Sequence, residues 1–513
     1  MTRRFFPSIA GALAALVFAT PCSHAEDPSA DAAWAEVPGI LARIVPPTFP
    51  DADFPITDFG AVEGGTSDCG KAIAAAVAKC AESGGGRVVV PAGKFLTGPV
   101  HLRSKVELHL SEGSELVFSD RFEDFLPVVR VRVGGIDCFN YSPLVYAKDC
   151  TDIAITGKGR LNGNASKWWK WKGKETTEHF QMGAKNVPLE KRVFGTPEDA
   201  IRPNFVVLLN CRNILLEDFT IGSGPNWTIH PVYSENITIR GITVDTNGPN
   251  NDGIDPDSCR DLLIEHCTFS TGDDCVVLKS GYNEDGRRVG KPTENVIMRH
   301  CSSRHGHGGL VVGSEMSGGV RNVFMHDCDY QGTDRAIRIK SRRDRGGVVE
   351  KIYARDIKVR DMKNEVVILN MDYGADKNAV NDAKPPVFRD MCFERIEADG
   401  APVAVRITGD PEATIDHIRF RDMRIAATEG ALVRNASRIA FENLRLDVKK
   451  GPLFALDSVA GISIRNVDSG STPRSFLKLD GSDSGDVVVS SCPVAKDRIE
   501  LGKHVSKLAV TVK

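Results

Sequence analysis

Short runs of alternating apolar and polar residues recur along most of the chain, each opened by a polar or Asn/Asp position and closed by a polar pair. The segments CTDIAIT, CRNILLEDF, SENITIRGI, CRDLLIEHC, TENVIMRHC, VRNVFMHDC, VEKIYARDI, FRDMCFERI, IDHIRFRDM, ASRIAFENL and VAGISIRNV share this outline. From CRNILLEDF onward their third residues are Asn213, Asn236, Asp261, Asn295, Asn322, Lys351, Asp390, His417, Arg438 and Gly461. The steps between them are 23, 25, 34, 27, 29, 39, 27, 21 and 23 residues. Periods in the twenties with insertions predict a solenoid, and strands joined by tight turns make it a parallel β-helix. A β-sandwich would repeat hairpin turns about every 8–12 residues, and no such spacing recurs.

The flanks differ from this pattern. Ala72, Ile73, Ala76, Val77 and Cys80 fall at helical spacing within Ser67–Ser83, with Ser67 or Asp68 as N-cap and Gly84-Gly85-Gly86 as the stop. One short amphipathic helix before strand after strand is expected to plug the open end of the stack. ITDFGAV (56–62) predicts a first strand and RVVVPAG another, while the Ala/Pro-rich residues 26–50 predict an extended lead-in. The repeat decays beyond Val467, so the β-helix is expected over 51–470, with 471–513 as a C-terminal cap carrying the strands VVVSSC and KLAVTVK. The fold class is thus all-β with a short N-terminal capping helix.

Winding the chain turns sequence distance into space, because equivalent residues of successive coils stack about 4.8 Å apart. Asp252 and Asp273 are 21 residues apart, His307 follows 34 later and Arg338 another 31 later. Each interval is close to one coil, so adjacent coils can present Asp, Asp-Asp, His and Arg/Lys across one groove. The stretch from Asn250 to Ser280 also holds Asp255, Asp257 and Asp274 among strand-like residues. Crowded carboxylates raise one another's pKa, which costs stability but suits acid/base chemistry. A calcium loop or solvated turn is the plainer reading, and Asp255 and Asp257 fit a structural or calcium-binding role as well as a continued acidic groove. Arg338 and Lys340, two apart, share a strand face within a basic run containing Arg335, Arg342, Arg343 and Arg345. Such a patch in an acidic protein suits a polyanionic substrate; nucleic acid would feel the same charge, but the carboxylates argue against it.

By length alone 513 residues allow roughly three domains, and 41% apolar with 26% charged residues is ordinary for a globular chain. Arg3 and Arg4, the apolar run Ile9–Phe18 and the small-residue site Ser23-His24-Ala25 read as a secretory signal over 1–25. The run is too short to anchor in a bilayer, so the mature chain is expected to be secreted or periplasmic and free of the membrane. Its removal takes the formal charge from −3 to −5 and leaves 12 of 13 cysteines. Cys267, Cys301 and Cys328 recur at one point of the repeat, which fits an interior stack of thiols as well as disulfide bridges. No cysteine or histidine cluster has metal spacing, so neither metal nor cofactor is expected.

The motifs Asn250-Asn251-Asp252, Gly272-Asp273-Asp274, Gly306-His307-Gly308 and Arg338-Ile339-Lys340 occur in this order. The set resembles that of the polygalacturonases, family 28 of the glycoside hydrolases, with Asn251 in place of the usual Thr. DFGAV and SKVELHLSEGSELVFS are similar to the first coils of pectin-degrading β-helix proteins, so the resemblance covers 51–470. It implies a right-handed parallel β-helix that hydrolyses α-1,4-linked galacturonan with inversion. Asp273 would be the general acid, Asp252 and Asp274 would hold and deprotonate water, and His307 would tune the acid's protonation. Arg338 and Lys340 would bind the substrate carboxylate, with Asn250 and Lys279 as further substrate contacts. Inverting pairs usually stand about 6.5–9.5 Å apart, whereas neighbouring coils suggest about 5 Å. GPNWTIHPVY (224–233) and GHGGLVVGSEMSGGVRNV (306–323) resemble the bacterial branch that releases sugars from chain ends. The insertion 164–203, with Trp168, Trp169 and Trp171 among lysines, offers aromatic rings for sugar faces or for packing its own loop. Other readings are a hydrolase of rhamnogalacturonan or xylogalacturonan, a calcium-dependent pectate lyase, or a β-helical adhesin. The expected partner is a pectic polymer, and the expected state a monomer.

Overall fold

The computed structural model describes residues 30–513 apart from 174–176, 200, 375–383, 471–474 and 494–497. The signal segment and the start of the lead-in lie outside the described residues. The repeat winds into a parallel β-helix with three ladders. One ladder pairs Arg212–Glu217, Glu235–Arg240, Arg260–Glu265 and Thr293–Arg299, then continues into the longer strands that follow. A second pairs Thr220–Gly222, Thr243–Asp245, Thr268–Ser270 and Ser302–His305. The third runs through Val206–Leu209, Ile229–Val232, a bridge at Ile254, Val276–Leu278, Leu310–Val312, Ile337–Lys340 and Glu365–Asn370.

The position that marks each repeat is a corner of the coil. Asn213, Asn236, Asp261, Asn295, Asn322, Lys351, Asp390, His417, Arg438 and Gly461 all have φ between 50° and 67°. Left-handed backbone is tolerated by Gly and by Asn or Asp, whose short side chains bond locally, so the polar type and the turn have one cause. The side chains also bond from coil to coil. Asn213 donates to Asp152 at 2.7 Å, Asn236 to Asn213 at 2.7 Å, Asn295 to Asp261 at 2.9 Å and Asn322 to Asn295 at 3.2 Å.

The interior is a column of apolar side chains. All twelve described cysteines are unpaired, eleven of them buried, and Cys267, Cys301 and Cys328 lie in successive coils. Phe393, Phe420 and Phe441 stack with ring centroids 5.4 and 5.1 Å apart, and Phe454 follows at 5.0 Å with its ring tilted by 60°. The helix forms at Gly70–Glu82, burying Ala72, Ile73, Ala76, Val77 and Cys80, and Asp68 accepts from the Gly70 N–H at 2.9 Å.

Three expectations are corrected. The first strand is Asp53–Pro55, and Ile56–Phe59 form a 3-10 turn closed by Gly60 at φ 95°. Pro55 lacks the N–H to prolong a ladder, and the turn buries Ile56 in the core the helix covers. The lead-in is not extended throughout: Ala30–Trp34 and Val37–Leu41 are helical. Trp34, Ile40 and Ile44 cover Leu263, Ile297 and Phe324 on the outer face of the first ladder. Behind them Val45 exchanges two hydrogen bonds with the Asn236 side chain, at 2.8 and 2.9 Å. Beyond 470, Ser475–Asp480, Gly485–Ser490, Ile499–Leu501 and Val510–Val512 continue the parallel ladders.

A lobe sits on the third ladder. Its antiparallel hairpin, Val129–Val133 with Ile136–Asn140, is extended by Val193–Phe194. Val131, Val133, Cys138, Phe194 and Ile201 pack on Val207, Leu209 and Val232. Trp168 and Trp171 are buried with Phe122, Phe125 and Tyr141, so these two rings pack their loop.

If the corner ladder holds the coils as described, Asn295→Ala should cost about 1–2 kcal/mol through backbone strain and lost bonds. Asn295→Gly should cost less, because it keeps the backbone free. Denaturant midpoints for the two variants check this, and equal losses would remove the backbone contribution.

Candidate active site

The site lies where the chain enters the third ladder. Ile254 bridges Val276 and Asp257 bridges Lys279, a register of 22 residues that sets Asp252 opposite Asp274. The expected neighbour, Asp273, lies one residue away and faces the next coil, where His307 N–H donates to the Asp273 carbonyl at 2.8 Å. The carboxylates of Asp252, Asp273 and Asp274 each place an oxygen within 4.8 Å of the others. Glycine lets the coils meet this closely: a Cβ on Gly306 would stand 2.7 Å from the Cys275 sulfur of the preceding coil, and one on Gly272 would collide with the Gly248 carbonyl.

Each carboxylate has its own environment. Asp273 Oδ1 lies 2.9 Å from His307 Nδ1, and Asn250 Nδ2 approaches its other oxygen at 3.5 Å. Asp274 is buried and accepts from Lys340 Nζ at 2.6 Å and Arg338 Nη1 at 3.4 Å. Asp252 is buried, and its Oδ1 has no hydrogen-bond partner among the described residues. Burial, with the charges of Asp255 and Asp273 added, holds the Asp252 carboxyl well above the usual range. Burial would raise Asp273 as well, but the His307 hydrogen bond and Lys340 outweigh it and leave that group at about 2. The same bond raises His307 above an ordinary imidazole. Burial thus favours the protonated form of Asp252, and the shared hydrogen bond favours a charged His307 beside an ionised Asp273.

Lys279 is 3% exposed, its ammonium 3.0 Å from Glu315, 3.9 Å from Asp255 and 4.2 Å from the centre of the Trp227 ring. Glu315 and the buried aspartates raise its pKa against the pull of burial, and Lys279 brings Glu315 to about 2 against the same pull. It is a counter-ion inside the wall rather than a surface lysine. Asp255 is fully buried and held high by burial. Asp257 pairs with Arg132 of the lobe at 3.0 Å, so neither belongs to a metal-like cluster among the described residues.

Several contacts were not legible in the motifs. Tyr373 carries Arg338 and Lys340 over its ring, 5.2 and 5.1 Å from the centroid. Arg202 donates to Asn250 Oδ1 at 2.8 Å and to the Pro249 carbonyl at 2.7 Å. Trp169 Nε1 donates to the Gly224 carbonyl at 2.9 Å. Asn251 braces the same loop, accepting from Thr246 and the Gly248 N–H and donating to the Gly224 and Asn226 carbonyls. An amide makes four such bonds where a threonine hydroxyl makes fewer, which explains the departure at this position. A run like GSEMSGG signals a tight turn, but only folding reveals that its Glu315 faces Lys279. A cavity of about 600 Å³ lies elsewhere, lined by Tyr233, Arg212, Glu235 and Arg260 among others.

The family model for glycosyl hydrolases family 28 matches residues 80–439. The chain belongs to that family. As a family 28 protein it is a glycoside hydrolase. It is 40% identical to the exopolygalacturonase of Thermotoga maritima, whose crystal structure it matches with a TM-score of 0.78 over 81% of this chain and 96% of that one. An exo-poly-alpha-D-galacturonosidase of Dickeya chrysanthemi is 27% identical over 76% of this chain and 70% of its own. A "Probable polygalacturonase" of Vitis vinifera is 32% identical over 69% and 70%.

Removing the wall cation should expose how much it holds. Lys279→Met leaves Glu315 and Asp255 buried without a counter-charge and should cost about 3–5 kcal/mol. Adding Glu315→Gln should restore part of this, as measured by denaturation of both variants; no restoration would mean that the pair is not coupled.

Proposed function

We propose that the chain is an exported, exo-acting polygalacturonase that hydrolyses α-1,4-galacturonosyl linkages of pectic chains with inversion. The observation that carries this is the trio of carboxylates, flanked by one imidazole and two cations, in a family 28 coil. Asp273 protonates the glycosidic oxygen as the bond to C1 breaks. His307 Nδ1, 2.9 Å away, resupplies Asp273 with the proton that it lacks in the free site. A water held between Asp252 and Asp274 attacks C1 and passes a proton to Asp274. Arg338 and Lys340, already against Asp274, take the substrate carboxylate, with Arg offering its planar fork. Tyr373 lies beside them as a sugar platform, and Asn250 contacts the sugar next to Asp273. Lys279 acts from behind, keeping the wall electrically balanced.

Each of the three finer points has its own support. Exo action is favoured by the Thermotoga relative and by the lobe and the 164–203 insertion, whose Trp169 and Arg202 lock the loop carrying Asp252. Export is favoured by the arginines and apolar run of residues 1–25; no helix among the described residues is long and apolar enough to cross a membrane. Inversion runs against separation alone, since oxygens within 4.8 Å are closer than the roughly 6.5–9.5 Å usual for it. What favours it is the third carboxylate, because a covalent nucleophile needs one partner beside the acid whereas a gripped water gains from two.

The decisive experiment is product analysis on polygalacturonate. Monomer released as the β-anomer in the first minutes, by proton NMR, fits exo-inversion, and activity should survive EDTA. Mixed oligomers would mean endo action, an α-anomer would mean retention, and an unsaturated product lost with chelator would mean a lyase. Asp273→Asn should lower kcat by about 10³-fold or more while oligogalacturonide still binds; retained turnover would move the acid elsewhere.

The pH profile follows from the same pair. As pH rises through the raised His307 pKa the stored proton is lost, so the alkaline limb of kcat/KM should lie above an ordinary imidazole, whose pKa is about 6.5. His307→Gln keeps a donor without titrating and should erase that limb at reduced kcat. An unchanged limb would exclude His307 as the proton source.

A further inference from the structure

Three repeated segments carry histidine at their second corner or one residue before it: Glu265-His266-Cys267, Arg299-His300-Cys301 and His326-Asp327-Cys328, where Asp327 holds the corner. The cysteine of each is in the core, and the histidines line the outer surface beside it. His266 and His300, both exposed, stack with ring centroids 4.9 Å apart and planes 15° apart. The centroid of His326, half-buried, lies 5.8 Å from that of His300. This surface is not used by the chemistry above, although His266 and His300 each stand seven residues before a residue of the hydrolytic motifs, Asp273 and His307.

We propose that His266, His300 and His326 form a site for one divalent transition ion of the zinc class. Imidazole is the ligand that suits Zn²⁺, Ni²⁺ and Cu²⁺, and three nitrogens with open water positions make a complete set. His326 is prepared for it: its Nδ1 is held by Asp327 Oδ2 at 2.6 Å, the carboxylate–histidine arrangement that turns Nε2 outward and raises its basicity. The ring nitrogens of His266 and His300 have no hydrogen-bond partner among the described residues, so ligation breaks nothing there. Zn–N bonds of about 2.0–2.1 Å place nitrogens about 3.3 Å apart. The exposed rings reach this by turning out of their stack, a rotamer change that surface side chains make readily. The strand neighbours of His326 are two cations, Arg299 and Arg355; Arg299 is tied to Glu265 at 2.7 Å, Arg355 lies over the Trp34 ring and beside Asp356, and Asp327 contributes negative charge. Trp34 packs edge-on against His326 at 5.7 Å, so a bound ion would tie three coils beside the docked N-terminal helix.

The test is calorimetric titration of the untagged chain with NiCl₂ and with ZnCl₂ near neutral pH. One saturable site in the micromolar range is expected. His266→Asn and His300→Asn, which keep a side chain suited to the left-handed corner, should each weaken it about tenfold or more. Asp273→Asn, which alters the carboxylate trio that could also hold a cation, should leave it unchanged. Thermal unfolding should move upward with zinc in the parent and stay put in His300→Asn. Absence of saturable binding, binding that survives both histidine substitutions, or binding lost in Asp273→Asn would each overturn the site.

Discussion

Parallel coils about 4.8 Å apart force every column of polar side chains into lateral contact, and the column at the heart of this molecule is made of acids. Asp252, Asp273 and Asp274 cannot all ionise at such range without large repulsion. The molecule resolves this by giving each a different neighbour: burial for Asp252, an imidazole for Asp273, two cations for Asp274. Three chemically identical side chains thereby acquire three different environments. A second tier of charge, Lys279 with Glu315 and Asp255, stands behind them.

The same spacing is harmless where the column can satisfy itself. Asparagine bonds to asparagine along the corners, thiols follow thiols in the core, and phenyl rings stack in the later coils. Buried charge is the costly exception, since an unpaired ion in a wall costs several kcal/mol. Its concentration at one groove fits a catalytic use better than a structural one. Arg132 and Asp257 extend the principle to the lobe, which is fastened to the coil wall by a fully buried ion pair.

The repeat was legible because one backbone conformation, recurring at the same corner of every coil, selects Asn, Asp or Gly. Lys351, His417 and Arg438 adopt it too, and there only the spacing identified the corner. The candidate site was legible as a set of motifs but not as a register. A coil of 21 or 22 residues looks the same in sequence, yet it decides whether Asp252 meets Asp273 or Asp274, and backbone hydrogen bonds settle that. The Lys279–Glu315 contact joins residues 36 positions apart, through an insertion whose length carries no periodic signal. The helices at 30–41 were hidden for another reason: they form to cover Leu263, Ile297 and Phe324, a tertiary demand that overrides an Ala/Pro-rich composition.

The unpaired cysteines have a consequence for biogenesis. A core that holds its sulfurs as packing atoms needs no oxidant to mature, and therefore no isomerase to sort twelve of them. The liability is transferred to the unfolded chain: once the coils open, those sulfurs meet one another and air in any order. Recovery from heat would then be governed by thiol chemistry rather than by the coil, and a reducing agent would decide whether unfolding can be reversed.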